Sequence, residues 1–390
     1  MSKMNKVFPF SFLALLITCT LFVFSEGAAE EGLSDKQTQG RKEITIKLST
    51  RIKELLAAQS SKTFLNSIPE NEIAFWKERA EKGEAEALLM YGQCLYEGSH
   101  YPKDISKAVE CFRNAAIQGL AEAQYKMGIS YDMGECVKKD FTEAVKWYQK
   151  AAAQGVPNAQ FCLGAHYAMG NGVQQDITLG MEWFRKAARQ GHPLAQSSIG
   201  KAYLSGVGVE KNLAEAAKWF RLSAEQGFAD AQFNMGLLCS AGEGIRQSKT
   251  EAAEWYRKAA EQGHANAQVL LAQCYEDGSG VEKNIGETVK WYRKAAEQGW
   301  AFAQEELGRF YSIGYGVEKN SEEAVKWFRR AAEQGNTEAL RYLGEKYESG
   351  DGVQQDYLEA MKCYRKAVKL GDRNAKDMLD RLSKEHSLEQ

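Results

Sequence analysis

The sequence predicts an all-α protein, a right-handed α/α superhelical solenoid of stacked antiparallel helix pairs. Glycines recur at intervals of 36 residues from Gly83 to Gly371 without an insertion, and a fixed period of this length is typical of helical repeat arrays. Each period contains two amphipathic stretches separated by turns, which indicates one pair of helices per repeat. The chain of 390 residues has only 5 prolines, which suits a protein built mainly from helices.

Residues 1–27 have the pattern of a secretory signal peptide. Lys3 and Lys6 precede an apolar run at residues 7–24, and small residues follow at 25–29. Because these features define export signals, we expect the protein in the periplasm, in the cell envelope or outside the cell. The apolar run is nearly long enough to cross a bilayer, so a membrane-tethered adaptor with an uncleaved anchor is the alternative.

The remaining chain divides into a linker, a repeat array and a tail. Residues 28–70 are polar and without a period, and we interpret them as a linker with one short helix around the sequence ITIKLSTRIKELL. The repeat array covers 71–383, begins with a lone second helix at 75–83, and ends with a capping helix at 374–382. Residues 384–390 form the tail. The eight full repeats cover residues 85–119, 121–155, 157–191, 193–227, 229–263, 265–299, 301–335 and 337–371.

Within each repeat, numbered from 1 at its first residue, helix A is followed by a turn and helix B. Position 14 is Gly in every repeat, and a glycine after an amphipathic stretch ends a helix in the left-handed conformation. Position 20 is Asp, Asn or Ser, and such side chains start helices as N-caps. Position 3 is always Ala, and position 8 is Gly except at Ala272, which leaves room for a second helix to approach closely.

The turn after helix A has the form GxG in six repeats, as in GYGVEKN at 314–320. A phosphate-binding loop needs GxxxxGK[ST] between a strand and a helix, and this turn has neither the spacing nor the hydroxyl residue. Tryptophan occupies position 27 in six repeats and is interpreted as core packing on helix B. Trp300 lies outside that register and is a candidate for contact with a partner.

Composition and motifs argue against several classes of function. The formal net charge is −2 and charges of both signs alternate, so we expect no nucleic-acid partner. Neither HExxH nor a CxxC pair occurs, so we expect no metal site, and we expect no cofactor. His192 and His264 follow the glycines that end repeats, and we interpret them as solvated turn residues. We expect a monomer.

The segment AFAQEELGRFYSIGYGVEKNSEEAVKWFRRAAEQG at 301–335 resembles the pattern AxAxxxLGxxYxxGxGVxxDxxxAxxWYxxAAxxG of the Sel-1-like repeat (SLR) family, relatives of the tetratricopeptide repeat. The resemblance covers about residues 72–382 and recurs eight times, although the first two repeats have GSH and GEC in place of GxG. It implies a scaffold with a concave protein-binding surface. Bacterial members with a signal peptide resemble envelope or secreted proteins that engage other proteins.

The resemblance also suggests a disulfide and an alternative activity. Cysteine-rich members of the family bridge positions 10 and 27 within a repeat, and only the first repeat fills both, with Cys94 and Cys111. These two residues are the disulfide candidate, and two buried free thiols are the alternative. Some cysteine-rich relatives have been described as β-lactamases, and Ser198 and Lys201 form an SxxK here, but SDN and KTG are missing. We expect no catalytic residue, and a weak periplasmic hydrolase is the alternative function.

A partner protein or peptide is expected on the concave side, which the A helices line in stacks of this kind. Positions 2, 5, 9 and 12 of helix A point into that groove and differ between repeats, whereas the packing positions are nearly constant. The residues predicted to contact a partner are Tyr125, Phe161, Phe233, Leu237, Glu305, Arg309 and Arg341. The alternative is that the three aromatic rings pack between neighbouring A helices.

Overall fold

A computed structural model describes residues 48, 50–52, 54–55 and 60–385. The described residues are helical or lie in turns, and none of them belongs to a strand. The predicted all-α arrangement of 36-residue helix pairs is confirmed. The predicted signal peptide lies outside the described residues.

The chain divides after Lys211 into two compact units, which are described separately. The helices of unit 1 within the described residues are α1 (Ser61–Asn66), α2 (Glu70–Glu81), α3 (Ala85–Glu97), α4 (Ile105–Ile117), α5 (Ala121–Met133), α6 (Phe141–Ala153), α7 (Pro157–Met169), α8 (Ile177–Arg189) and α9 (Pro193–Ser205). Those of unit 2 are α10 (Leu213–Glu225), α11 (Ala229–Ala241), α12 (Lys249–Glu261), α13 (Ala265–Asp277), α14 (Ile285–Glu297), α15 (Ala301–Ile313), α16 (Ser321–Glu333), α17 (Thr337–Ser349), α18 (Tyr357–Lys369) and α19 (Asn374–Glu385). Odd numbers from α3 to α17 are A helices, and even numbers from α4 to α18 are B helices.

The linker predicted at 28–70 extends too far, because its last part folds against unit 1. The apolar side chains of this part lie buried in the same cluster as the first repeat, and they are Leu48, Ile52, Leu55, Leu65 and Ile68. The guanidinium of Arg51 donates from Nε to Glu72 at 2.8 Å. These residues do not follow the 36-residue period, so the repeat pattern does not predict that they belong to the core.

Both predicted sets of helix ends are confirmed. Gly98 and Gly350 end their A helices with φ of 67° and 74°, and the other position-14 glycines are also left-handed. Asp104 caps α4 by accepting a hydrogen bond from the backbone N–H of Lys107 at 2.9 Å. A cap of the same kind precedes every other helix B. Each helix A and helix B is therefore held to 13 residues.

Within a repeat, the glycine at position 8 lets helix A lie against an aromatic ring of helix B. A Cβ atom on Gly164 would lie 2.8 Å from Cδ1 of Phe184, and one on Gly308 would lie 2.7 Å from Cδ1 of Phe328. Real Cβ atoms do not approach other carbons so closely, because the repulsion rises steeply below contact distance. The small residue is therefore what allows the two helices to pack.

Between repeats, the second glycine of the turn lies on the preceding helix B. In unit 1, a Cβ on Gly208 would lie 2.5 Å from Cγ2 of Ile177. In unit 2, a Cβ on Gly280 would overlap the backbone carbonyl of Lys249, the first residue of α12. The GxG turn is thus a joint between repeats. In the first two repeats His100 and Cys136 occupy this position with φ of 61° and 56°, a conformation that costs most residues about 1 kcal/mol.

Buried glutamines form hydrogen bonds between adjacent repeats, in addition to the glycine contacts. Gln160, at position 4, donates from Nε2 to the carbonyl of Ala152 in the preceding repeat at 3.2 Å. It accepts at 2.8 Å from Nε2 of Gln190, at position 34, which also donates to the carbonyl of Gly155 at 3.0 Å. The ladder was not predicted from the sequence, although glutamine fills position 4 in six consecutive repeats from Gln124 onward.

The two kinds of left-handed glycine allow a matched test of the joint. Gly280 and Gly263 have φ of +78° and +88°, but a Cβ on Gly263 would have no atom within 4 Å. Both Gly→Ala variants introduce left-handed strain, about 1 kcal/mol. We expect Gly280→Ala to lower the free energy of unfolding by a further ~1–3 kcal/mol, because the Lys249 backbone must move. Urea unfolding followed by circular dichroism measures the free energy of unfolding of both variants. Equal losses would contradict the close contact between Gly280 and the Lys249 backbone.

Candidate functional site

The candidate site is the A-helix face, defined as positions 2, 5, 6, 9 and 12 of the A helices. Positions three and four apart lie on one side of a helix. In α11, α13, α15 and α17 of unit 2, these residues are half-buried except for buried Glu305 and exposed Phe302 and Glu338. Side chains that neighbours cover partly, and that a ligand can still reach, are what a binding groove provides.

In unit 1 the A-helix face is more closed. The ring of Tyr125 is 8% exposed and lies 6.1 Å from that of Tyr148. The ring of Phe161 is 3% exposed and stacks on His192, with 4.9 Å between the ring centroids. For these two of the predicted contact residues, the structure favours the alternative, packing within the stack.

His192 is a buried N-cap, not the solvated turn residue that the sequence suggested. Its Nδ1 accepts a hydrogen bond from the backbone N–H of Ala195 at 3.2 Å. Since Nδ1 accepts, Nε2 carries the proton and donates to Oδ1 of Asn158 at 2.9 Å. Burial lowers the pKa of His192 to about 4, and the neutral ring that both bonds require is the stable form in the folded protein.

A histidine N-cap of the same kind is present in unit 2. His264 accepts from the backbone N–H of Ala267 at 3.2 Å, and its ring stacks on Phe233 at 4.6 Å. Phe233 and Leu237 are half-buried, so part of each remains accessible on the A-helix face. A signal for these caps was present in the sequence, because Phe and His stand 31 residues apart in both cases.

A cysteine, a histidine and an aspartate lie close together inside unit 1. His166 places Nε2 3.3 Å from Oδ2 of Asp132 and Nδ1 2.9 Å from the carbonyl of Asn171. Tyr148 donates to the same Asp132 oxygen at 3.2 Å. Burial, with the Asp132 charge as a further cause, raises the pKa of Cys162 to about 12. Because the thiolate is the nucleophile, this residue lacks the character of a catalytic cysteine and the cluster is a packed polar network.

The predicted charged residues lie together on α15 and α17 of unit 2. Arg309 donates from Nε to Glu306 at 3.1 Å and lies 3.9 Å from Glu276. Arg341 donates to Glu345 at 2.8 Å, and its Nε lies 3.9 Å from Asp372.

Glu305 is 2% exposed. Its Oε2 has no hydrogen-bond partner among the described residues. Burial, and then the charges of Glu306 and Glu338, raise the pKa of this carboxyl to about 8.

Cys94 and Cys111 are free thiols in the structure, which corresponds to the alternative to the predicted disulfide. Both are buried. Burial raises the pKa of Cys94 to about 12 and that of Cys111 to about 11. Since oxidation proceeds through the thiolate, these thiols resist pairing in the folded state.

Other chemistry has little support in the described residues. Ser198 and Lys201 lie on α9, and neither lines the clefts of about 410 and 430 Å³ that border Val289 and Leu88. Among the described residues, no group of three or more histidine, cysteine or acidic side chains is placed to hold a metal ion. Nor does any described helix combine the length and hydrophobicity that crossing a bilayer requires.

Comparison with known proteins identifies the repeat. The Sel1 repeat profile matches eight consecutive segments, 85–120, 121–156, 157–192, 193–228, 229–264, 265–300, 301–336 and 337–372. A protective antigen present in uropathogenic Escherichia coli strains, described as displaying an SLR fold, is 37% identical with a TM-score of 0.74 over 82% of this chain and 68% of its own. A Sel1 repeat protein from Oxalobacter formigenes is 33% identical with a TM-score of 0.58, over 80% of this chain and 90% of its own. A search of curated proteins found no match.

The His192 cap predicts a specific pH dependence of stability. Its folded pKa is about 4 against 6.5 when unfolded, so the unfolded chain binds a proton first and stability falls as pH drops below 6.5. Between neutral pH and pH 4.5 this group costs about 2 kcal/mol. His192→Asn removes that loss and keeps a cap, as Asn336 shows by accepting from Ala339 N–H at 2.8 Å. Urea unfolding at several pH values measures the free energy of unfolding of the wild type and of His192→Asn. The same dependence on pH in both proteins would contradict the role of His192.

Alkylation distinguishes the two states of the first-repeat cysteines. Without reductant, we expect Cys94 and Cys111 to resist iodoacetamide in the native protein and to react fully in urea, because burial alone protects them. Exposed Cys136 should react at once and serves as the control. Mass spectrometry reads the sites. A linked Cys94–Cys111 peptide pair that reacts in urea only after reduction would restore the disulfide.

Proposed function

Because the chain belongs to the Sel1 repeat family, we propose that it is an exported, non-enzymatic scaffold that binds a protein or peptide on its A-helix face. The observation that carries this proposal is the contrast between constant and variable positions. Joint and packing residues repeat almost unchanged, whereas the half-buried residues of the A-helix face of unit 2 differ from repeat to repeat. Stacked repeats of this kind commonly offer extended binding surfaces.

The chemistry of the A-helix face in unit 2 suits a protein partner. It combines accessible apolar groups, such as Phe233 and Leu237, with arginines at Arg309 and Arg341. Partly covered aromatic and arginine side chains are the residues that most often dominate interface energies. Residues held by ion pairs within one face also lose less conformational freedom on binding, which favours affinity.

Export is supported by the basic start and the apolar run at residues 7–24, which together have the composition of a signal peptide. The related protein of uropathogenic Escherichia coli is a protective antigen. An antigen that protects must be accessible to the immune system, and an exported location for this chain is consistent with that relationship.

Capture of a partner from the cell envelope tests the proposed function. The full chain is expressed with a C-terminal tag, cross-linked in cells, and recovered from the envelope fraction. We expect Phe302→Asp with Leu237→Asp to lose the captured partner, because both side chains lie on the A-helix face. Leu358→Asp with Leu370→Asp is the matched control, since both leucines are exposed on or just after α18. Equal recovery with both double variants would contradict binding on this face.

Fractionation of the same cells into envelope and cytoplasm, with recovery of the tagged chain from each fraction, tests export. Signal cleavage after Ser25, Gly27 or Ala29 predicts an N-terminus at residue 26, 28 or 30. Retention of residues 1–27 on the recovered chain would favour the membrane-tethered alternative. Recovery of the uncleaved chain only from the cytoplasm would contradict export.

A further inference from the structure

The A-helix face of repeats six to eight carries a surplus of negative charge. Its carboxylates are Glu276, Glu305, Glu306, Glu338, Glu345 and Glu348, against two arginines. Both arginines already have acidic partners. Arg309 pairs with Glu306 and Glu276, and Arg341 pairs with Glu345 and lies near Asp372. Glu348 is also paired, with Arg381 of α19 at 2.6 Å, and burial raises the pKa of Glu305 to about 8. The other five carboxylates against these three arginines still leave a negative surplus, which attracts cationic groups.

The corresponding positions of unit 1 are nearly balanced in charge. Their carboxylates are Glu86, Glu122 and Asp132, and their cations are Lys126 and Lys201. Two of these carboxylates, Glu122 and Asp132, are buried, and Asp132 is bonded to Tyr148. Unit 1 thus shows that the fold does not require an acidic A-helix face, and the surplus is a property of unit 2.

A buried carboxylate without a partner is a second, independent sign of a missing cation. Oε2 of Glu305 accepts no hydrogen bond among the described residues, although Glu305 is almost completely buried. Position 5 places Glu305 on the A-helix face with Glu306 and Arg309 of α15, and the charges of Glu338 and Arg341 on α17 also act on its pKa. Burial raises the pKa of this carboxyl, and a cationic donor supplied from outside would both bond the unpartnered oxygen and stabilise the ionised form.

Two exposed aromatic residues lie at the start of the helix that carries Glu305. Trp300, the N-cap residue of α15, is 38% exposed, and Phe302 is 37% exposed. Phe302 stands three residues before Glu305 on the same face of the helix, and its ring lies 6.2 Å from that of Tyr292. Aromatic faces attract both apolar side chains and cations.

We propose that the A-helix face of unit 2 binds a basic peptide segment, with lysine or arginine received by Glu305, Glu306 and Glu338 and an adjacent apolar residue packed on Phe302 and Trp300. The inference rests on the proposed scaffold function and identifies the class of its partner. Charge complementarity selects the occupant, because a polyanion or an acidic peptide would meet the same surplus of carboxylates.

The probe is a short fluorescent peptide in which lysine alternates with leucine and phenylalanine, titrated with the full mature chain at low ionic strength. We expect binding that weakens with salt, because the attraction is between charges. We expect Glu305→Gln with Glu338→Gln to weaken it at least about tenfold. Phe302→Ala should weaken it separately. A peptide with glutamate in place of lysine should not bind.

A matched control separates local from overall charge. Glu254→Gln with Glu261→Gln removes at least as much negative charge, at exposed residues of α12, and should leave peptide affinity unchanged. An equal loss in both double variants, or equal binding of the glutamate peptide, would overturn the proposal. Circular dichroism and thermal unfolding show that the variants fold, and the near-isosteric Glu→Gln changes are chosen for that reason. A dimer of the chain that the peptide disrupts would assign the face to a second copy instead.

Proton release gives a signature that a merely structural role of Glu305 would not produce. At neutral pH a carboxyl with a pKa of about 8 is mostly protonated, and a neighbouring cation favours its ionised form. Peptide binding should therefore release protons, so that its heat differs between buffers of different ionisation enthalpy. The difference should disappear in Glu305→Gln. Equal heats for the wild-type chain would contradict contact with Glu305.

Failure of this inference can be told from failure of the proposed function. If Glu305→Gln with Glu338→Gln still captures the envelope partner that Phe302→Asp with Leu237→Asp loses, the scaffold function stands and the basic-peptide assignment is wrong. If neither variant changes capture, binding lies outside the A-helix face and both proposals fall.

Discussion

The close contact between the second glycine of each GxG turn and the start of the preceding helix B is the constraint on which the rest of the stack depends. At Gly280 the two backbones lie so close that a single methyl group would overlap the Lys249 carbonyl. Such a contact leaves little freedom in the distance between adjacent repeats, because packed backbones cannot compress. The unbroken 36-residue spacing follows, since an inserted residue would move this joint.

The glutamine ladder also fixes which residues of adjacent repeats lie opposite one another. A buried amide has to be hydrogen-bonded, and Gln160 satisfies this need only when Ala152 and Gln190 lie at the right distance. Slippage of one repeat against the next would leave amides unpaired at a cost of about 1–3 kcal/mol each. The polar ladder and the glycine contact therefore fix the same register, and a fixed register within each unit is what places successive A-helix faces side by side.

The sequence predicts most of this architecture because the repeat signals are local. A left-handed glycine and a capping Asp or Asn act on their own helix. The helix ends at Gly98 and Asp104 can therefore be recognised from a few neighbouring residues. The expectations that the structure does not support concern the exposure of residues whose neighbours cannot be located from the sequence. The position of Phe161 predicts a groove residue, but His192, the N-cap residue of α9, covers it. Leu48 and Leu65 lie outside the period, and only the folded chain shows that they complete the first repeat.

The two units have different A-helix faces although both are built from the same repeat. In unit 1, Tyr125 and Phe161 extend from the A-helix face into contacts with rings of the same unit, and their apolar surface is already buried. In the last two repeats of unit 2 the equivalent position is occupied by Glu305 and Arg341, whose polar atoms need hydrogen-bond or ion-pair partners that packing alone does not supply. Arg341 finds acidic neighbours, but one oxygen of Glu305 does not. Because glycine and glutamine fix the contacts between repeats, the residue at position 5 can vary. That residue determines whether the A-helix face of its repeat is covered by neighbouring side chains or remains accessible to a partner.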